Sequence, residues 1–159
     1  MVSGSPQAVA RCEPIFDAIA ERVVRIGSEP GQAQVVKLAN NLLSLGALAM
    51  TAEVTALTSA AGIPLAVALE AFNAGSGRNS ATEVKFPAHV LTGRFDFGFP
   101  VTGALKDVSL FTAFAAALDR PAPLAEAVVE AWREVVERGF GDEDCTRIAT
   151  IYERGRDDR

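Results

Sequence analysis

From Gln32 to Ala61 nothing in the sequence breaks a helix, and the fifteen residues between Lys37 and Glu53 carry no charge at all. Gly31 stands before this stretch and Gly62-Ile63-Pro64 after it, so both ends are punctuated. At 1.5 Å per residue the segment is roughly 45 Å long, more than an ordinary globular helix. Its apolar residues Leu38, Leu42, Leu43, Leu45, Leu48 and Met50 fall around the whole circumference. That pattern predicts a central core helix buried on every side. The charge-free run is shorter than the roughly 18 residues a bilayer span needs and contains Asn40, Asn41, Ser44 and Thr51, so a transmembrane reading is the weaker one.

The remaining segments are also helical in spacing, and 28 alanines favour that state. Ser5-Pro6 reads as an N-cap and first-turn pair opening a helix whose later part carries the stripe Ile15, Phe16, Ile19, Ala20 and Val23. Arg22 to Ile26 alternates and ends in Gly27, which predicts a strand, with Met1-Val2 a possible second one. Further helices are expected over Leu65 to Phe72, in two short pieces between Ser80 and Thr92 split near Pro87, and over Val101 to Leu118, Pro123 to Arg138 and Cys145 to Arg154. Gly139 marks one stop, and Asp142 or Asp144 can cap the last helix. The expected fold is therefore all-α, built around one long central helix.

With 159 residues, 49% of them apolar, the chain can bury one sizeable core. Fifteen Lys plus Arg against twenty Asp plus Glu leave a net charge of −5, so there is no basic field to draw nucleic acid or an anionic membrane surface. Cys12 and Cys145 form no CxxC, and His89 is the sole histidine, so neither a metal site nor a disulfide framework is expected. Both cysteines read as reduced packing residues. Met1 is followed by no basic and then apolar leader, which makes the cytoplasm the expected compartment.

Lys37 and Asn41 are four residues apart, which places an ammonium and a carboxamide on one helix face beside an apolar body. Such a pair can move a proton at a carbonyl or hydroxyl oxygen while the amide orients the substrate. The competing reading is a lysine that snorkels to solvent beside a locally bonded amide. Lys106-Asp107 opens onto an apolar helix and can reach out towards an anion, or can be an exposed lysine beside an acid. No GxGxxG and no GxxxxGK[ST] occurs anywhere, so the chain has no nucleotide cradle of its own. His89 reads as surface or packing, Arg78 as a candidate carboxylate clamp or an exposed loop residue, and Phe95, Phe97 and Phe99 as a pocket wall or a hydrophobic plug.

Taken in order, these segments resemble the C-terminal half of the β-hydroxyacid dehydrogenases, the family of 3-hydroxyisobutyrate dehydrogenase, related to 6-phosphogluconate dehydrogenase. Gly31 to Asn41 resembles the segment G-x-G-x-x-x-K-x-x-N-N, with Ala33 in place of the second glycine. Ala52-Glu53, Gly62-Ile63, the loop Gly75-Ser76-Gly77-Arg78-Asn79-Ser80 and Lys106-Asp107 follow in the same order. The resemblance implies a catalytic Lys37, a substrate-positioning Asn41 and, in Lys106-Asp107, a contact to NAD or NADP. It implies hydride transfer with a short β-hydroxy acid and a homodimer or homotetramer. Residues 1–27 then read as the tail of a truncated dinucleotide-binding (Rossmann) domain and residues 28–159 as the helical substrate and oligomerisation domain. On that reading the fragment alone turns over little or nothing. The alternative is a non-enzymatic helical module that dimerises or binds a partner.

Overall fold

The computed structural model describes residues 1–152, which are mostly helical with one short parallel sheet. The elements are β1 (Val2–Ser3), α1 (Pro6–Ile19), β2 (Arg25–Gly27), α2 (Gln32–Ala60), α3 (Leu65–Ala74), a π-helix (Ala81–Val90), α4 (Val101–Ala117), α5 (Pro123–Val135), a π-turn (Val136–Phe140) and a 3₁₀ helix (Cys145–Thr150). They group into two compact units, Met1–Asn41 and Leu42–Arg159.

In the first unit, β1 pairs in parallel with β2, Val2 opposite Arg25 and Ser3 opposite Gly27. The strand expected over Arg22 to Ile26 is shorter and later than its alternation suggests, because its partner is only two residues long. Ser5 caps α1 as expected, its Oγ accepting from the Ala8 N–H at 3.3 Å, with Pro6 in the first turn. Only Val9 of α1 is buried, and Ile15 and Ile19 are 60% and 77% exposed. The expected apolar stripe exists but is left uncovered.

α2 matches its expected span and ends in a Schellman turn: Gly62, with φ of 84°, donates to the Ser59 carbonyl and Ile63 donates to the Thr58 carbonyl, both at 3.0 Å. Burial on every side is not what the structure shows. Leu45, Leu48, Ala49, Thr51, Ala52 and Thr55 are buried, whereas Leu43, Met50 and Leu57, spaced by seven, are 75%, 61% and 71% exposed. Seven residues is close to two helical turns, so these three share one open face. By length and composition α2 also meets the requirement for crossing a bilayer, yet its buried positions pack into the core of the second unit.

That core joins Leu48 and Ala52 to Phe86, Val101, Val108, Trp132, Val135 and Ile148. The segment expected as two short helices split near Pro87 is one continuous π-helix. In a π register each N–H seeks the carbonyl five residues back, as Leu91 does to Phe86 at 2.8 Å. Pro87 cannot supply the bond due to Thr82, and the Asn73 side-chain N–H fills it at 3.0 Å. The last segment is a 3₁₀ helix capped by Asp144; the expected end at Arg154 lies outside the described residues.

Candidate functional site

Lys37 and Asn41 stand one turn apart on the same face of α2, both half-buried. In the second unit, Lys106 extends from α4 with its side chain 68% exposed and its Nζ 3.6 Å from Asp107 Oδ1. The Asp107 side chain is itself buried. The Lys106 ammonium thus stands at the surface beside a buried carboxylate. No group of three or more His, Cys, Asp or Glu suited to a metal occurs among the described residues.

Cys145 is packed in the core as expected, whereas Cys12 is half-buried on α1. Both are free, Cys145 is buried, and burial, helped by the neighbouring Asp144 carboxylate, pushes its thiol up to about 12. Such a thiol is not a nucleophile near neutral pH. Arg78 pairs loosely with Glu83 at 3.7 Å on the surface. The three phenylalanines part company. Phe99 packs against the core, Phe95 stacks on the Arg147 guanidinium at 4.5 Å, and Phe97 is 41% exposed.

One site was not legible from spacing. Lys85, in the π-helix, is 4% exposed, and its Nζ donates to Ser44 Oγ at 2.9 Å and Ser80 Oγ at 3.2 Å while facing the Phe97 ring at 5.2 Å. Burial lowers its pKa from the usual lysine value, with nearby Cys145 opposing. Beyond Phe97 lies His89, ring edge against ring face at 5.5 Å, and its Nδ1 meets Asp96 Oδ1 at 2.6 Å. The hydrogen bond to His89 holds the Asp96 carboxyl below its usual value. His89 is thus a packed and oriented residue, with Asp96 its unforeseen partner.

A family model described as "NAD-binding of NADP-dependent 3-hydroxyisobutyrate dehydrogenase" matches residues 31–152. The chain belongs to this family. Its match begins at Gly31, the residue that opens the segment containing Lys37 and Asn41. The chain is 34% identical over 152 residues to L-threonate dehydrogenase of Escherichia coli, covering 96% of this chain and 50% of that protein. It is 27% identical to the NAD-dependent L-serine dehydrogenase of Pseudomonas aeruginosa, covering 96% and 53%. The crystal structure of 3-hydroxyisobutyrate dehydrogenase from Salmonella typhimurium superposes with a TM-score of 0.86 at 34% identity, covering 94% of this chain and 52% of that one. The chain spans about half the length of the curated relatives it matches.

Proposed function

We propose that this chain is the helical, substrate-facing half of an NAD(P)-dependent oxidoreductase acting on a short β-hydroxy acid. Residues 1–27 are the end of its dinucleotide-binding domain, and residues 28–159 form a helical domain resembling the C-terminal domain of 6-phosphogluconate dehydrogenase. The observation that carries this reading is the Gly31 to Asn41 segment, which opens the family match and sets Lys37 and Asn41 one turn apart on α2.

In the oxidative direction the substrate hydroxyl gives its proton to the Lys37 amine as the carbinol carbon loses a hydride and the C–O bond becomes a carbonyl. A bound nicotinamide supplies the hydride acceptor. Asn41 holds the reacting oxygen in line, and Lys106, tethered by Asp107, reaches the cofactor. The relatives' names, threonate and serine dehydrogenases among them, support a small hydroxy acid as substrate. Work in the cytoplasm suits such a metabolite-scale substrate.

In the full-length protein Lys37→Ala should lower turnover by roughly two orders of magnitude or more, with cofactor affinity little changed. An unchanged rate removes Lys37 from the mechanism. The 159-residue chain alone should show no micromolar binding of NADH or NADPH by fluorescence titration, and tight binding would refute the division of labour proposed here.

Self-association through this half is the second element of the proposal. Leu43 and Met50 border an apolar groove of about 540 Å³ between α2 and α5, rimmed also by Leu124, which is 84% exposed. A two-fold dimer could seat this face on its copy, and a tetramer could pair such dimers. The same face favours the alternative of a non-enzymatic dimerisation or partner-binding module. Measured mass in solution before and after Met50→Glu tests the surface, and the Lys37→Ala rate separates enzyme from module.

A further inference from the structure

The ammonium of Lys85 is satisfied in hydrogen bonds but not in charge. Two of its N–H groups reach the Ser44 and Ser80 hydroxyls, and the Phe97 ring covers a third side. None of the ion pairs among the described residues includes it. A buried cation without a counter-charge is costly, and a leucine or methionine would fill the same space more cheaply. Burial accordingly lowers the pKa of this amine from the usual lysine value.

The covering is thin. Lys85 itself is 4% exposed, but Ser80 and Phe97, which lie over it, are both exposed residues, and Ser44 is half-buried. Ser80 ends the polar loop Gly75 to Asn79 and, though it stands at the N-cap of the π-helix, its side chain caps nothing. Its hydroxyl is therefore free to turn towards a ligand without undoing the helix start. Phe97 sits between Phe95, whose φ is 49°, and Gly98, whose φ is 96°, a backbone set by the fold and not by the Phe97 ring. Asp144 Oδ2 pins that backbone by accepting from the Gly98 and Phe99 N–H groups at 2.7 and 3.3 Å, so the ring can swing aside while its chain stays anchored. Swinging it would expose an ammonium flanked by two hydroxyls, a donor set that matches a small oxyanion.

We propose that Lys85, Ser44 and Ser80 form a covered binding site for a small oxyanion, a carboxylate or a phosphate group, that enters by displacing the Phe97 ring and supplies the missing counter-charge. Ser44 and Ser80 then turn from accepting the Lys85 N–H groups to donating their own O–H groups to the anion. The site is independent of the role given to Lys37, since it uses none of the groups in that reaction. Its two natural sources are the carboxylate of an organic acid and the phosphate of a nucleotide, and the probes below separate them.

The test is titration of the isotope-labelled chain with acetate and, separately, inorganic phosphate at constant ionic strength, following backbone amide shifts at residues 80, 85 and 97. Saturable shifts with one or both are expected. A preference for acetate assigns the site to organic acids, and a preference for phosphate assigns it to nucleotides. Lys85→Met should weaken binding about tenfold or more, the loss expected for one charge-assisted contact. Phe97→Ala removes the cover at an exposed position and should tighten binding, and Ser80→Ala should weaken it several-fold. These two variants keep the test decisive where Lys85→Met fails to fold. Absence of saturable shifts in both the parent and Phe97→Ala, or equal affinities in Lys85→Met and the parent, overturns the proposal. Neither result bears on turnover by Lys37, so failure here is distinguishable from failure of the dehydrogenase reading.

Discussion

Lys37 and Lys85 are both lysines on helices, one read from the local repeat and the other not. On α2 the repeat is that of an ordinary α-helix, so residues 37 and 41 share a face by arithmetic alone. In the π-helix the turn is wider. Val84 is 52% exposed while its neighbour Lys85 is buried together with Ala81, Thr82 and Phe86. Polarity would have assigned the two neighbours the other way round. What separates the two regions is the register of the backbone hydrogen bonds, and at 81–90 that register depends on Pro87 and on a side chain from α3.

Phe86, which is 1% exposed, fixes the π-helix to the core. Phe86→Ala should cost about 3–5 kcal/mol by denaturant unfolding. A cost under about 1 kcal/mol would mean the π-helix is not held by this anchor.

Asn73→Ala strips the donor from the Thr82 carbonyl and should cost about 1–3 kcal/mol. If the missing proline N–H is the reason Asn73 matters, the same substitution in a Pro87→Ala background should cost measurably less, a coupling that a double-mutant cycle reads directly. Strict additivity would refute the account of the π register given above.

A smaller effect is expected at Asp144. Burial works against its charge, but hydrogen bonds from Thr146, Gly98 and Phe99 prevail and hold its carboxyl below the usual carboxylate value. A depressed folded-state pKa stabilises the protein above the unfolded value of about 3.9, and that contribution is lost as pH falls through the folded value. Stability profiles of the parent and Asp144→Asn should therefore differ most at neutral pH and converge in acid. Parallel curves down to the acid limit would show that the carboxylate charge plays no part.

The smallest effect belongs to α2. Thr55 is buried, yet its hydroxyl bonds to the Thr51 carbonyl of its own helix at 2.7 Å. Thr55→Val removes donor and hydroxyl together, and the Thr51 carbonyl can keep its ordinary helical bond, so a change of no more than about 1 kcal/mol is expected in a thermal melt. A loss of several kcal/mol would mean the hydroxyl serves something beyond its own helix.

Where the signal is local, reading it from the chain succeeds. The cap at Ser5, the Schellman stop at Gly62 and the start of α4 after Pro100 all fall where turn chemistry puts them. Lys37, Asn41, Lys106 and Asp107 are singled out by an ordered set of motifs that resembles the family, and their roles belong to the proposal above. The Lys85 cluster could not, because Ser44, Ser80 and Phe97 come from α2, a loop and a second loop far apart in sequence. Along the chain Lys85 is one charged residue among Thr82, Glu83 and His89 in a mixed stretch, with nothing local to say that it points inward.

The mostly helical character, the start of α1, the ends of α2 and α4 and the family to which residues 31–152 belong follow from the chain alone, since propensity, capping and motif order act over a few neighbouring residues. Only the tertiary structure decided that α2 keeps one face open, that Pro87 sits inside a π-helix and that Lys85 turns inward. Each of those depends on partners brought together by packing, and a pattern of hydrophobicity along one segment carries no record of what the rest of the chain leaves uncovered.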